Sequence, residues 1–198
     1  QERMREGAYV SLGAFGGCLV VGFDHSVEND GGYNLRVDGN SFEGSSEPGI
    51  VWVMQDENGN GLPDDTWYEL KGSEWGGAET RLDYAVTYYR PAGPGQPVIW
   101  TDNEGGSGRV EYLPAFHTQD SYYPAWITED SYTLVGRKLK PRTEMIAENH
   151  WTCHPYEWGY ADNFSPVDRL TDDDNPTAAI TGNFVRISDA VTYDGRPA

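Results

Sequence analysis

Two short runs, Ile50-Val-Trp-Val-Met-Gln55 and Thr66-Trp-Tyr-Glu-Leu-Lys71, stand on either side of a loop rich in Gly, Asn and Asp. Runs of β-branched and aromatic residues bounded by such turn residues are typical of β-strands. The first run has no polar residue over 51–54, which predicts a central strand of a sheet. A second central strand is predicted at Tyr84-Ala-Val-Thr-Tyr-Tyr89.

The same alternation of strand-like runs and turn residues extends along the chain, whereas helical periodicity is almost absent. This pattern predicts an all-β protein, an antiparallel β-sandwich. A length of 198 residues suits one large sandwich, so we expect a single domain over residues 1–198. Predicted strands cover residues 18–23, 34–39, 50–55, 66–71, 84–89, 98–101, 108–112, 131–138 and 184–188.

The end of the sequence predicts a strand that has no successor. Residues 188–195 have the pattern of a strand that enters the turn Asp194-Gly195, and no strand-like run follows. We therefore expect the domain to lack a final C-terminal strand.

The loop Asp56-Glu-Asn-Gly-Asn-Gly-Leu-Pro-Asp-Asp65 carries side-chain oxygens at every second position in its first half. Gly61 follows where a sharp turn is needed. A hard cation takes about 6–8 oxygen ligands, and this spacing wraps oxygens around one point. The sequence therefore predicts a structural Ca²⁺ site made by the side chains of Asp56, Asn58, Asn60, Asp64 and Asp65 and the carbonyl of Leu62.

This loop differs from an EF-hand at its end, because Trp67 stands where the bidentate Glu would be. It is closer to the short calcium loops of dockerin-like and thrombospondin-like repeats, with the missing ligands supplied from elsewhere. The alternative is a hairpin turn of the same composition that binds no ion.

The charge of the chain argues against several classes of partner. The net charge is −18, whereas nucleic-acid binding needs clustered Lys and Arg. The same charge disfavours anionic lipid surfaces. No apolar run approaches the length of a membrane span, so we expect a protein that is not inserted into a membrane.

The two cysteines, Cys18 and Cys153, leave two possibilities open: one disulfide or two free thiols. Cys18 lies in an apolar predicted strand, where a small buried hydrophobic residue is expected. No CxxC pair or His/Cys cluster indicates a zinc site.

Three predicted loops, at residues 42–48, 117–126 and 150–175, are richer than plain connections. Long irregular loops are usually functional or disordered, and the last one is too aromatic for disorder. Flat aromatic faces can stack on sugar rings or on a large planar ligand. The candidate ligand-binding residues are Tyr122, Tyr123, Trp126, Trp151, Tyr156 and Trp158. The alternative for each is that it packs its loop onto the sandwich.

A second cation site is conceivable where the run Asp172-Asp-Asp174 follows Asp162 and Asp168. The alternative, favoured because like charges in a block mostly face water, is a solvated turn.

Catalytic motifs are missing from the sequence. The histidines do not form HExxH, no Ser stands in GxSxG, and Cys153 lacks the surroundings of a cysteine protease. Glu43 and Glu47 are the carboxylate pair that best fits the enzymatic alternative, a glycan-active hydrolase. We expect a protein without catalytic activity.

Several long segments resemble a family of cell-surface and secreted proteins of gut bacteria, and the resemblance covers nearly the whole chain. The segments are Ser11-Leu-Gly-Ala-Phe-Gly-Gly17, Val21-Gly-Phe-Asp-His25, Gly39-Asn-Ser-Phe-Glu-Gly-Ser-Ser-Glu-Pro48, the loop 56–65 with Trp67-Tyr-Glu-Leu70, and Trp158-Gly-Tyr-Ala-Asp-Asn163. These motifs are distinctive, but they are not catalytic signatures.

The resemblance implies a jelly-roll β-sandwich at the bacterial outer surface, often exported as a lipoprotein and attached to other surface modules. It also implies capture of nutrients, including corrinoids such as cobalamin. We therefore expect a non-catalytic module that binds a small molecule or a glycan. A purely structural spacer between surface modules is a further alternative.

Overall fold

The computed structural model describes residues 6–148, 150–170 and 182–198. The described residues form strands and one short 3-10 helix, and all pairings between these strands are antiparallel, so the predicted all-β class is confirmed. The elements are β1 (Leu35–Asp38), β2 (Gly49–Ile50), β3 (Trp52–Met54), β4 (Trp67–Leu70), β5 (Arg81–Tyr89), β6 (Val98–Asp102), β7 (Ser107–Val110), β8 (Ser131–Lys138), β9 (Thr143–Ala147), β10 (His150–Cys153), β11 (Tyr160–Ala161), β12 (Arg169–Leu170), β13 (Gly182–Val185), the 3-10 helix (Ile187–Asp189) and β14 (Ala190–Val191). Within the same described ranges, no helix has the length and apolar character needed to cross a membrane.

The chain divides into two compact units, and the sequence of one interrupts that of the other. The first unit contains the described residues of Gln1–Val10, Val20–Gly77 and Pro141–Ala198, and the second contains Ser11–Leu19 and Ala78–Lys140. The expectation of one sandwich domain over residues 1–198 stays a prediction, as does the expected lack of a final strand.

The second unit is a four-stranded sheet in the order β7-β6-β5-β8. β5 pairs with β6 at one edge and with β8 at the other, which confirms the central strand predicted at residues 84–89. Tyr84, Val86 and Tyr88 are buried in β5, as expected when every second side chain of a strand points to the same face.

An aromatic core lies on that buried face of the sheet. Its fully buried members are Tyr84, Val86, Tyr88, Val98 and Tyr123. The segment 11–19 packs against the same core, with the Phe15 ring 5.5 Å from the Tyr84 ring in an edge-on arrangement. The Tyr88 hydroxyl donates a 2.8 Å hydrogen bond to the Phe15 carbonyl, so the buried hydroxyl is satisfied.

The first unit is built from short strands in small sheets, in the orders β1-β13-β12, β14-β4-β3, β11-β2 and β10-β9. β3 pairs with β4 alone among the described strands, so the central strand predicted from residues 51–54 is wrong and β4 is the central strand of its sheet. An uninterrupted apolar run indicates burial on both faces of a strand and says nothing of pairing at both edges. All three side chains of β3 are indeed half-buried.

The strand predicted at residues 18–23 is also wrong. This run is irregular, and Leu19, Val20, Val21 and Phe23 are exposed. A strand needs a hydrogen-bonded neighbour, and no described strand or bridge pairs with the run. Cys18 is therefore exposed rather than buried as predicted, and both cysteines are free.

Residues 150–170 are more regular than the loop predicted over 150–175, since they contain β10, β11 and β12, while residues 171–175 lie outside the described ranges. β10 pairs with β9, which the sequence also left unassigned. Every side chain of β9 is exposed, so this strand lacks the apolar alternation by which strands are recognised.

A buried hydrogen-bond network ties the segment 156–170 to β13. The Asn163 side chain accepts the Tyr156 N–H and donates to the Tyr156 carbonyl, each at 3.0 Å. The Asn183 side chain accepts the Asn163 N–H at 2.9 Å and donates to the Asn163 carbonyl at 2.8 Å and to Asp168 at 3.1 Å. Asn163, Asp168 and Asn183 are all buried, and buried polar groups persist in folded proteins when they are paired in this way.

After β14 the chain turns at Asp194-Gly195 and runs back along β14, where Pro197 forms an antiparallel bridge with Val191. Gly195 has a φ of 88°, and a Cβ at this position would lie 2.4 Å from the Trp75 ring. Glycine is thus required here by its conformation and by the contact with Trp75.

Candidate binding cavity and calcium loop

A cavity of about 270 Å³ lies in the first unit, lined by residues from β4, β13, the 3-10 helix and the segments that precede β1, β11 and β12. Three of the side chains that line it are aromatic: Tyr33, Trp158 and Phe184. The Tyr33 and Phe184 rings meet edge to face with their centroids 5.8 Å apart. Such a concave, partly aromatic surface with a few polar groups is the usual form of a small-molecule site.

Backbone hydrogen bonds fix the rim of the cavity. The Asp168 carboxylate accepts the Gly159 N–H, and the Asp168 carbonyl accepts the Phe184 N–H at 2.9 Å. On the other side, the Lys71 N–H donates to the Asp189 carbonyl at 3.0 Å. Three regions that are distant in sequence, at residue 71, residues 159–168 and residues 184–189, therefore meet around one space.

Trp158 reaches the cavity through a close backbone approach at Gly159. Gly159 has a φ of 89°, and a Cβ on it would lie 2.4 Å from the Gly72 Cα. Next to it, the Ser73 N–H donates to the Trp158 carbonyl at 3.0 Å. Only glycine tolerates this conformation and contact without strain, so Gly159 sets the position of the Trp158 side chain.

Charged groups of both signs face the cavity: Lys71, Arg186, Asp168 and Asp189. Asp168 is buried, and its second carboxylate oxygen accepts the Asn183 side-chain amide in addition to the Gly159 bond. Both oxygens of Asp168 are thus used within the fold, which leaves Asp189 as the carboxylate with acceptor capacity for a ligand.

The aromatic residues predicted to bind a ligand differ in their placement. Tyr123 and Tyr156 are buried, and Tyr122 is half-buried with its ring 5.2 Å from the Tyr112 ring. Burial raises the pKa of Tyr156 to about 12. In this conformation Tyr123 and Tyr156 pack inside their own units and present no free ring face.

The three tryptophans of the predicted set are the accessible members. Trp126 in the second unit is 83% exposed, and Trp151 in the first unit is 58% exposed. Trp158 is half-buried and is the residue of the set that lines the cavity. Trp158 therefore meets the geometric requirement for a ligand platform most closely.

The sequence did not indicate Tyr33, Lys71, Phe184, Arg186 or Asp189 as site residues, because all five lie in or beside predicted strands. One signal was present for the pair Phe184 and Arg186. Residues two apart in a strand point to the same side, and both of these residues line the cavity.

The predicted calcium loop between β3 and β4 folds around the carboxylate of Asp56. The Asp56 carboxylate accepts the N–H groups of Gly59, Asn60 and Gly61 at 2.8, 3.1 and 2.9 Å. Gly59 and Gly61 both have a φ of 72°, the left-handed conformation that lets the chain wrap around this carboxylate.

The end of the loop folds back onto the same side chains. The Asn58 amide nitrogen lies 3.3 Å from carboxylate oxygens of Asp64 and Asp65, and the Asn60 amide nitrogen lies 3.1 Å from Asp64. The backbone N–H of Leu62 donates to Asn60 at 2.7 Å. The amide nitrogens of Asn58 and Asn60 thus contact the carboxylates of Asp64 and Asp65, whereas the Asp56 carboxylate contacts backbone N–H groups.

Over the described residues, no group of three or more His, Cys, Asp or Glu side chains is positioned to hold a metal ion. The predicted calcium set includes three such side chains, Asp56, Asp64 and Asp65, which this conformation of the loop does not bring into one group, so the calcium site stays a prediction. Its other members are two asparagines and a backbone carbonyl. Hard neutral oxygens of this kind are normal Ca²⁺ ligands.

The two described aspartates of the second conceivable cation site have different hydrogen-bond partners. Asp168 is buried in the network described above, whereas Asp162 accepts the Ser41 N–H at 2.8 Å. Asp172, Asp173 and Asp174 lie outside the described residues. The two described aspartates therefore stabilise backbone groups of the first unit.

Glu43 and Glu47, the carboxylates considered for hydrolysis, are both exposed in the segment 42–48. Neither of them lines the cavity.

A scan against protein-family models and a search of the curated proteins found no match to this chain.

Proposed function

We propose that this chain is a non-catalytic, calcium-stabilised ligand-binding module of the bacterial cell surface, with a glycan as its ligand. The observation that carries the proposal is the cavity of the first unit, in which Trp158 joins Tyr33 and Phe184. Aromatic rings that line a concave surface give a sugar ring apolar faces to stack on while its hydroxyls remain hydrogen-bonded.

The size of the cavity favours a sugar over a corrinoid. Pockets for drug-sized ligands measure about 300–1,000 Å³, and this cavity of about 270 Å³ lies just below that range. A single sugar ring suits this space. A corrin macrocycle with its nucleotide tail is far larger and would need a different surface.

Calcium has a stabilising role in this proposal. The loop Asp56–Asp65 joins two hydrogen-bonded strands, β3 and β4, and β4 continues into Leu70 and Lys71 of the cavity wall. An ion that binds the folded loop alone adds its binding free energy to the stability of the folded state. The jelly-roll strand order and the surface location rest on the family resemblance and belong to the same proposal.

The test is a titration of intrinsic tryptophan fluorescence with a panel of glycans and with cobalamin, in calcium buffer. A glycan that changes the fluorescence supports the proposal, and Trp158→Ala should then weaken binding while the melting temperature stays nearly constant. Trp126→Ala is the matched control, because Trp126 is exposed and lies outside the cavity.

Three results would contradict the proposal. A spacer module would give no response to any ligand, and a hydrolase would release product from the same panel. If Trp158 only packs its loop, Trp158→Ala should cost about 3–5 kcal/mol of stability and leave the affinity of the folded fraction unchanged.

A further inference from the structure

Two basic side chains in the cavity wall have no anionic partner within the part of the chain that the structure describes. Lys71 and Arg186 form no ion pair and donate no side-chain hydrogen bond among the described residues, although the chain carries a net charge of −18. Other basic side chains do pair: Arg81 and Lys138, for example, both contact Glu104 at 3.0 Å. The cavity therefore presents two cationic groups whose hydrogen-bonding capacity is not used by the described residues.

Both cations rest on aromatic rings. The Arg186 guanidinium lies 4.5 Å from the centroid of the Tyr33 ring, and the Lys71 ammonium lies 5.3 Å from that of Trp75. A guanidinium that stacks on a ring directs its N–H groups outward from its own edge and not into the ring. That edge matches the two oxygens of a carboxylate, which arginine binds with paired hydrogen bonds.

The carboxylates of the cavity define the rest of the ligand. Asp168 uses its oxygens on Gly159 and Asn183, so its acceptor capacity is directed into the fold. Asp189 lines the cavity and can accept hydrogen bonds from ligand hydroxyls. A ligand that fits must therefore combine an anionic group, hydroxyl donors and a ring with an apolar face.

We infer that the cavity binds an acidic sugar, with its carboxylate held by Lys71 and Arg186, its hydroxyls donating to Asp189 and its ring against Trp158. A hexuronic acid has all of these groups in one ring, which suits a volume of about 270 Å³. This inference rests on the proposed function and specifies the class of glycan that the module takes.

The experiment is isothermal titration calorimetry on the full chain in calcium buffer at neutral pH. The probes are D-glucuronate and D-galacturonate, and the matched controls are D-glucose and D-galactose, which differ only in carrying CH₂OH where the acids carry the carboxylate. Loss of a charge-assisted hydrogen bond corresponds to about ten- to hundredfold in affinity, so the acids should bind at least tenfold more tightly. Their affinity should fall with added NaCl, because salt screens exposed charges.

Substitutions of Arg186 and Lys71 test whether these two residues hold the carboxylate. Arg186→Gln and Lys71→Gln should each weaken glucuronate binding by about tenfold or more and leave any glucose binding unchanged. Arg186→Lys keeps the charge but loses the paired N–H groups, so it should fall between wild type and Arg186→Gln. Arg109→Gln is the charge-matched control, because Arg109 is an exposed residue of the second unit that pairs with Glu111.

The outcomes separate this inference from the proposed function. Equal affinity for acidic and neutral sugars, or glucuronate binding that persists in folded Arg186→Gln and Lys71→Gln, overturns the inference and leaves the glycan-binding function standing. Absence of binding by all four sugars overturns the inference as well, and the glycan panel with Trp158→Ala then decides the broader function by itself.

Discussion

The second unit is held together by aromatic side chains on one sheet, whereas the first unit is held together by buried amides between short strands. Tyr84, Val86 and Tyr88 alternate along one long strand of the second unit. In the first unit, Asn163 and Asn183 join segments that no long strand connects. Apolar burial is non-directional, but a buried hydrogen bond fixes both distance and angle. The buried amides therefore fix the segments of the first unit against one another where its sheets are small.

The largest expected effect concerns the aromatic core. Tyr88→Ala should destabilise the second unit by about 3–5 kcal/mol, because it removes a buried ring and leaves a cavity. Tyr89→Ala is the control, since Tyr89 is the next residue of the same strand but is 40% exposed on the opposite face. Urea unfolding followed by circular dichroism measures the free energy, and hydrogen exchange shows which unit loses protection. Equal costs for the two variants would contradict the one-sided core.

The next effect tests the amide network of the first unit. Asn163→Leu keeps the side-chain size but removes the buried hydrogen bonds to the N–H and carbonyl of Tyr156, which should cost about 3 kcal/mol. Asn103 in the second unit makes the same two kinds of bond, to the Ala85 N–H at 3.0 Å and to the Asp83 carbonyl at 2.7 Å.

Asn103 is exposed, however, so water can replace its hydrogen bonds. Asn103→Leu should therefore cost less than about 1 kcal/mol in the same urea experiment. The comparison between the units would lose its basis if the exposed and the buried asparagine had the same effect on the free energy of unfolding.

Calcium provides the smallest of the three effects and should separate the units. At calcium a hundredfold above its dissociation constant, the ion should add about 2.7 kcal/mol to stability. Chelator should accordingly lower hydrogen-exchange protection and the melting temperature of the first unit, which contains the loop 56–65, and leave the second unit unchanged. Asp56→Ala should remove this dependence. Identical melting curves with chelator and with calcium would refute the site.

The sequence correctly predicted strands in which buried and exposed residues alternate. β8 matches its predicted bounds of 131–138, and β5 was recognised from the alternation at residues 84–89. The apolar run at 18–23 was wrongly predicted to be a strand, and the run at 51–54 was wrongly predicted to be a central strand. Hydrophobicity alone specifies neither a pairing partner nor a position within a sheet.

The cavity was mostly beyond sequence reasoning for a physical reason. Tyr33, Lys71, Trp158 and Arg186 are far apart in sequence, and long-range hydrogen bonds join their segments, such as those of Asp168 with Gly159 and of Lys71 with Asp189. Trp158 was predicted because it lies in a long segment that carries several large aromatic residues. In the sequence, Lys71 and Arg186 look like ordinary charges at strand ends; that they have no ion-pair partner among the described residues is seen only in three dimensions.

The interruption of the first unit by residues 78–140 has a consequence for the order of folding. Lys138 and Arg81 are cross-strand partners, so formation of the β5–β8 pair brings the two ends of this insertion together. Before that pairing, contacts between residues 20–77 and 141–198 must close a long flexible loop, and afterwards they close a short one. Since closure entropy grows with the logarithm of loop length, early β5–β8 pairing lowers the entropic barrier to assembly of the first unit by about 2 kcal/mol. Variants that slow β5–β8 pairing should therefore also slow the appearance of protected amides at Asn163 and Asn183 in pulse-labelling experiments, although neither asparagine belongs to that sheet.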